Sequence, residues 1–222
     1  MQERRVDTRK QRGARKTSAT RDPERTSASI LAAAVKEFTE KGYSGARIDA
    51  IAARAGANKR MIYHYFGDKE ELYLAVLESG YIGIRSAEAG LRLSDLPAKE
   101  AIERLIDFTW RYFLEHPEFL SLLNTENLHR AKYLKRSARV FNLHSPLVAA
   151  LSDILKRGSA TGEFRKDADP VHVYISIASL GFFYLSNRWT LSTIFRRNLA
   201  TPTELAGRGA HIKEVVLGYL RP

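Results

Sequence analysis

Glycines at 42, 56 and 67 divide the first third of this chain into pieces that admit one kind of structure. Between Gly42 and Gly67 there is room only for two short helices, Ile48 to Ala55 and one capped by Asn58, because each apolar run ends after about two turns. Ile48, Ile51, Ala52 and Ala55 share one face of the first, and Ile62 and Phe66 lie one turn apart on the second. Gly56 supplies the left-handed residue that lets the second helix cross the first, so the pair reads as a helix-turn-helix. Upstream, Asp22 and Pro23 form a helix N-cap with proline in the first turn. Ile30, Leu31, Ala34, Val35 and Phe38 then recur at helical spacing until Gly42 closes the helix.

The same signals continue. Asp68 with Glu71 makes a capping-box-like start for a long fourth helix through Leu72, Ala75 and Val76. Ala98 to Leu114 carries Ile102, Leu105, Ile106, Trp110 and Phe113 and stops at His116 and Pro117; Glu118 to about Leu128 makes another short helix. Ser145 and Pro146 start or kink a helix running to Gly158, and Asp169 with Pro170 starts one running to about Arg196. Thr201, Pro202 and Glu204 open a last helix that reaches Leu220. Strand signals are few and no repeat occurs. The chain is therefore all-α, with an N-terminal three-helix domain over residues 22–67 and an all-helical domain over 68–222. Residues 1–21 hold almost nothing apolar and are expected to be a disordered basic arm.

Charge narrows the partner. The formal net charge is +11 and the pI about 9.9, which favours a polyanion, either nucleic acid or an anionic membrane surface. Most of the excess lies early: residues 1–22 carry eight Lys and Arg against three acids, and residues 23–67 carry seven against four. The uncharged run Pro170 to Asn187 contains Ser176, Ser179 and Ser186, is marginal in length and opens on a helix-start signal. It reads as a buried or interface helix rather than a membrane span. Cysteine is absent, which excludes disulfides and thiolate chemistry and suits a reducing cytosol, and no apolar run follows the N-terminal bases as a secretory signal requires. The six histidines show no metal-ligand spacing, and neither a phosphate-binding glycine loop nor a nucleophile elbow occurs. No cofactor, no metal and no enzymatic activity are expected.

The second short helix carries the functional signal. In NKRMIYHYF, Asn58 to Phe66, Arg60 and His64 fall opposite Ile62 and Phe66, with Met61 and Tyr63 on the flanks and no carboxylate among them. A guanidinium, an imidazole, a phenol and a thioether projecting together suit a major groove: Arg bonds guanine edges, Tyr and Lys reach phosphates, and Met touches thymine methyls. The run GYSGARIDAIAARAGANKRMIYHYFGDKEELY, Gly42 to Tyr73, resembles the DNA-binding region of TetR-family transcriptional regulators. That resemblance implies a homodimer acting on a palindromic double-stranded operator, most often as a repressor released by a small molecule, with activator or global regulator as alternatives. It carries the family's DNA contacts onto Arg47, Asn58, Lys59, Arg60, Met61, Tyr63, His64, Tyr65 and Lys69. One departure stands out: the family usually has Ser or Thr at the cap before its second helix, where this chain has Ala46 and Arg47. The lost capping oxygen costs about 1 kcal/mol unless replaced, and Arg47 either grips a phosphate or is solvated. The basic arm could enter the adjacent minor groove. An architectural protein coating DNA without sequence preference is the competing reading.

Farther on, GEFRKDADP, Gly162 to Pro170, resembles the connection before the dimerising helices of many family members. Helices near 170–196 and 202–220 are thus expected to pair with their two-fold mates through the face of Val173, Ile177, Leu180, Phe183 and Tyr184. A ligand pocket is expected among the helices of 98–190, with Trp110, Phe113, Phe119, Leu123, Phe141, Tyr174, Phe182 and Trp189 as walls. Asn124, Glu126, Asn127 and His129 are its polar handles.

Overall fold

A computed structural model describes residues 22–222, and every regular element among them is helical. The basic arm, residues 1–21, lies outside the described residues. The first helix, α1 (Pro23–Gly45), starts where Asp22 accepts the Glu24 N–H at 3.1 Å and kinks at Gly42, whose φ is +64°. α2 (Ile48–Ala55) ends on Gly56 at φ 62°, ψ 28°, and the Asn58 side chain then accepts the Met61 N–H at 3.1 Å to start α3 (Lys59–Phe66). Gly67 closes α3 at φ 79°, and Asp68 accepts the Glu71 N–H at 2.8 Å to open α4 (Lys69–Ala89). These caps are the ones the sequence signals require.

A 3-10 turn at Leu93–Asp95 leads to α5 (Ala98–Glu115) and α6 (Pro117–Leu128), and a second at Leu134–Arg136 leads to α7 (Ala138–Ala160). Pro146 lies inside α7, so of the two readings left open at Ser145–Pro146 the interior one applies. The helix begins earlier because Ser137 Oγ accepts the Val140 N–H at 3.1 Å. α8 (Pro170–Ile194) and α9 (Pro202–Leu220) start on Asp169 and Thr201 as expected, with cap bonds of 2.9 and 3.4 Å.

Two cores matter for function. The head, α1 to α3, packs around Ile30, Phe38, Ile51 and Ile62, but its core also takes Leu72, Tyr73, Val76 and Leu77 of α4, Leu122 of α6 and Tyr133. Three helices of this length cannot bury enough surface alone, so the body completes the head. Lys132 and Arg136, on the turn after α6, tie to Glu70 at 3.1 and 3.2 Å and hold that turn against the start of α4. In the body, Leu105, Ile106, Leu151, Ile154, Val173, Ile177, Ile212 and Val216 form the largest cluster.

Packing within the body corrects the expected subunit face. Val173, Ile177 and Tyr184 are buried within their own chain and Leu180 is half-buried; of the five residues, Phe183 alone is exposed, at 58%. The outward face of α8 instead shows Val171, Ile175 and Ile194 beside Phe183. An α-helix apolar all round has no charged arc to mark its outside, so periodicity could not orient it. Among the described residues no helix is long and apolar enough to cross a membrane.

Candidate nucleic-acid interface and effector cleft

α3 is held by its apolar side. Ile62 is fully buried and Phe66 half-buried, which leaves Asn58, Lys59, Arg60, Tyr63 and His64 exposed on the other side. Met61 and Tyr65 depart from the expectation: both are half-buried against the head's core, so the thioether does not project beside the guanidinium. Each sits at the edge of the arc that Ile62 centres, and the short helix cannot bury Ile62 without drawing in its flanks. The exposed group that remains is cationic and aromatic. α3 supplies no carboxylate to it, but α2 does: Asp49 ion-pairs with the Lys59 ammonium. No reading of α3 by itself could find that partner.

Arg47 is exposed at the start of α2, where its side chain makes no capping bond. Its backbone N–H is instead taken by Glu37 Oε1 at 3.3 Å. Glu37 is buried on α1, and its other oxygen lies 3.5 Å from Arg54 Nη2 on α2. Arg54 also reaches both oxygens of Glu40, at 2.9 and 2.8 Å, and this hydrogen-bonded contact holds the Glu40 carboxyl below its ordinary range. Ser29 Oγ donates to the Ala55 carbonyl at 3.1 Å. The start and end of α2 are thereby fixed to α1, and α3 follows α2 through the three-residue turn Gly56, Ala57 and Asn58. Sequence reasoning passed over this clamp; its one visible signal is an acid, Glu37, beside Phe38 on an otherwise apolar stripe.

Lys69, at the first turn of α4, lies with its ammonium 4.9 Å above the Tyr43 ring. Burial pushes its pKa down, and Glu37 opposes that. It is half-buried and rests against the end of α1. The step from α3 to α4 is short and rigid: the Gly67 N–H donates to the Tyr63 carbonyl at 2.9 Å and the Asp68 N–H to that of Phe66 at 3.1 Å.

In the body, a cleft of about 320 Å³ opens between α4, α5, α6 and α8. Six of the expected residues line it: Phe113, Phe119, Leu123, Asn127, Tyr174 and Phe182. Tyr81 and Ile84 of α4 line it too, so the helix leading from α3 is one of its walls. Trp110 and Phe141 do not belong to it. Trp110 is packed against the backbones of α8 and α9 at Gly181 and Gly209, where an added Cβ would come within 3.3 and 3.0 Å, and Phe141 is 77% exposed on α7. Trp189 is likewise exposed.

Of the polar handles, only Asn127 reaches the cleft, with its side-chain amide donating to the Leu123 carbonyl at 2.9 Å. Asn124 bonds Ser186 at 3.3 Å, and His129 Nδ1 meets the Thr125 carbonyl at 2.7 Å. Glu126 is buried and accepts the N–H groups of Tyr133 and Leu134 at 2.9 and 2.8 Å, which shapes the turn that docks on the head. Burial raises the phenol pKa of Tyr174 and pushes that of Tyr81 to about 12, so both stay neutral hydroxyls at the wall. Among the described residues no group of three or more His, Cys, Asp or Glu could hold a metal ion.

Comparison with known proteins agrees with this layout. Residues 30–76 match the profile of bacterial regulatory proteins of the tetR family, and residues 99–216 that of a tetracyclin repressor-like C-terminal domain. The chain is 42% identical over 198 residues to the HTH-type transcriptional repressor NicS of Pseudomonas putida, covering 89% of this chain and 93% of that one. It is 41% identical over 144 residues to the HTH-type transcriptional repressor SCO4008 of Streptomyces coelicolor, covering 64% and 71%. The crystal structure of a tetR-family regulatory protein from Rhodococcus RHA1 superimposes with a TM-score of 0.70 over 88% of this chain and 97% of that one, at 18% identity, which bears on the fold alone.

Proposed function

The chain belongs to the TetR family of bacterial regulatory proteins, and from that premise we propose that it is a repressor: a homodimer that holds a palindromic operator and leaves it when a small molecule fills the cleft of the body. It acts in the cytoplasm, on DNA. The observation that carries this reading is the exposed set Arg60, Tyr63 and His64 standing over the buried Ile62, one tight turn away from a helix that lines the cleft. Arg60 and His64 read base edges; Lys59, Tyr63, Arg47 and Lys69 meet phosphates. Asn58 presents the start of α3 to the backbone. Met61 and Tyr65 contribute chiefly by seating the helix. The repressor direction is supported by the name borne by NicS, with which nearly the whole chain aligns.

The dimer forms through the outward faces of α8 and α9. Val171, Ile175 and Phe183 are exposed on the first and Val215 and Tyr219 on the second, an apolar surface that a second copy would cover. A two-fold mate sets the spacing of the two α3 helices, which must be about 34–36 Å or a compatible multiple to enter successive major grooves. Because Tyr81 and Ile84 belong to α4, a ligand that fits one tilt of that helix better than another changes the spacing. Its differential affinity sets how far the equilibrium moves.

Selection of bound sequences from a random DNA pool at physiological salt tests the reading. A palindrome whose half-sites lie one or two helical turns apart is expected, with transcription from a promoter carrying it falling when the protein is present. Binding without preference would overturn the regulator in favour of an architectural coat, and activation from the same site would overturn the repressor.

A further inference from the structure

The mechanism above leaves one buried charged pair without a task. Arg85 and Glu88 lie one turn apart on α4, with side chains only 5% and 4% exposed and Nη1 and Oε2 2.7 Å apart. Arg85 Nη2 donates to the Tyr174 hydroxyl at 3.0 Å. Beyond that, among the described residues, Nε and Nη1 of Arg85 and both oxygens of Glu88 lack an aligned hydrogen-bond partner. A buried guanidinium has five N–H donors and leaving them unmet is costly, so native proteins rarely do so outside a site. Both residues border a cavity of about 220 Å³, separate from the cleft's lining, whose other walls include Leu93 and, from α7, Leu143, Leu147 and Ala150. The cavity thus joins an apolar chamber to an incompletely satisfied guanidinium.

We propose that this cavity is a carboxylate-binding subsite, in which the Arg85 guanidinium takes the acid group of a small organic acid in place of Glu88. The sign of the charge follows from which partner can neutralise itself. Arginine stays charged at any pH a protein survives, whereas a buried carboxyl can take up a proton. Among the described residues the charged and titratable groups around Glu88 are Arg85 on α4, Tyr174 on α8, Tyr112 on α5 and Arg92 beyond the end of α4, the last engaged with Asp95 at 2.8 Å. Among the described residues α7 adds only Leu143, Pro146, Leu147 and Ala150 to the cavity. Burial pushes the Glu88 carboxyl up to about 7 against the pull of Arg85. An incoming anion would push it further, so binding is coupled to proton uptake. A cationic ligand would meet an arginine that cannot step aside. As for size, a cavity of about 150 Å³ holds benzene, so this one suits an acid of roughly nine non-hydrogen atoms.

The subsite stands without the repressor reading; only its consequence for DNA rests on that reading. Calorimetric titration of the full-length protein with benzoate, hexanoate, benzamide and benzylamine between pH 6 and 8.5 tests it. Benzoate or hexanoate should bind, benzamide at least tenfold more weakly than benzoate, and benzylamine not at all. Above pH 7 the affinity for the acid should fall by up to tenfold per unit, with close to one proton taken up per ligand bound at pH 8. Glu88→Gln should abolish that pH dependence, and Arg85→Met should abolish the preference for benzoate over benzamide. If Arg85→Met fails to fold, the proton count on the unaltered protein decides. Failure of both acids to bind, equal binding of benzamide, preference for benzylamine, or pH-independent affinity would each overturn the proposal. Operator binding measured in parallel keeps the two readings apart. Acid binding that leaves operator affinity unchanged upholds the subsite and removes it from the switch, while loss of sequence preference in the DNA assay bears only on the regulator.

Discussion

Glu37 in the head and Glu88 in the body are buried to the same depth, 5% and 6% exposed, and each lies near an arginine, yet their surroundings differ. Glu37 accepts the Arg47 N–H at 3.3 Å and reaches Arg54, so both its oxygens are used and the start and end of α2 are pinned to α1. Glu88 has only the misaligned Arg85, and a cavity stands where its remaining partners would be. A buried acid whose lone pairs are filled by the chain is architecture; one whose lone pairs face a void is a place for something else. The head spends its buried charge on orienting α3, and the body leaves its buried charge open.

The sharpest way to break that comparison is pH. With the Glu88 carboxyl raised from 4.5 to about 7, the unfolded chain releases the proton first as pH rises. The contribution of Glu88 to stability is therefore fully present below about 4.5 and is lost as pH rises through about 7, by about 3 kcal/mol at most. Denaturant unfolding of the unaltered protein and of Glu88→Gln across pH 5 to 8 should show that slope in the first and not in the second. Equal slopes would place Glu88 with Glu37 as a satisfied group.

Next in size is Glu37→Ala. It strands the Arg47 N–H and half of the α1–α2 clamp, and should cost about 2–3 kcal/mol, less than a fully buried pair because Arg54 is partly solvated and keeps Glu40. Hydrogen exchange should place the loss in α1 to α3, with operator affinity falling alongside. A loss spread evenly over the body would mean that the clamp is not local.

Within the head, Arg60→Ala and Met61→Ala should separate reading from seating. Arg60 is exposed and its loss should weaken operator binding by about 1–3 kcal/mol with the melting temperature unchanged. Met61 is half-buried, and its loss should lower stability while the preference among DNA sequences stays the same. The reverse pattern would return the thioether to the DNA side. Smallest is Asp49→Ala, which frees the Lys59 ammonium from an exposed pair worth less than about 1 kcal/mol. Affinity for DNA should rise slightly and its salt dependence steepen by about one phosphate contact, as read from binding at several ionic strengths. Weaker binding would show that Asp49 positions Lys59 rather than competing for it.

Much of this architecture was legible residue by residue. Asp22, Asn58, Asp68, Asp169 and Thr201 cap helices, and Gly56 and Gly67 end them, because a cap is a contact between neighbours in the chain and needs no tertiary partner. The exposed side of α3 followed from the same local geometry: once Ile62 must be buried, Arg60 and His64 cannot be. What failed were statements about distance in sequence. Periodicity could not turn α8, apolar on every side, toward its own core, so Val173, Ile177 and Tyr184 were assigned to a partner that they do not face. Trp110 and Phe141 are aromatic in the right region, yet one is half-buried against α8 and α9 and the other lies on the surface. Composition records that an aromatic is present, not which wall it joins. Lys59 meeting Asp49, Glu37 holding the start and end of α2, and Arg85 left half-paired beside a cavity were decided by the tertiary structure alone. Burial and pairing depend on which helices arrive together, and no run of neighbouring residues contains that information.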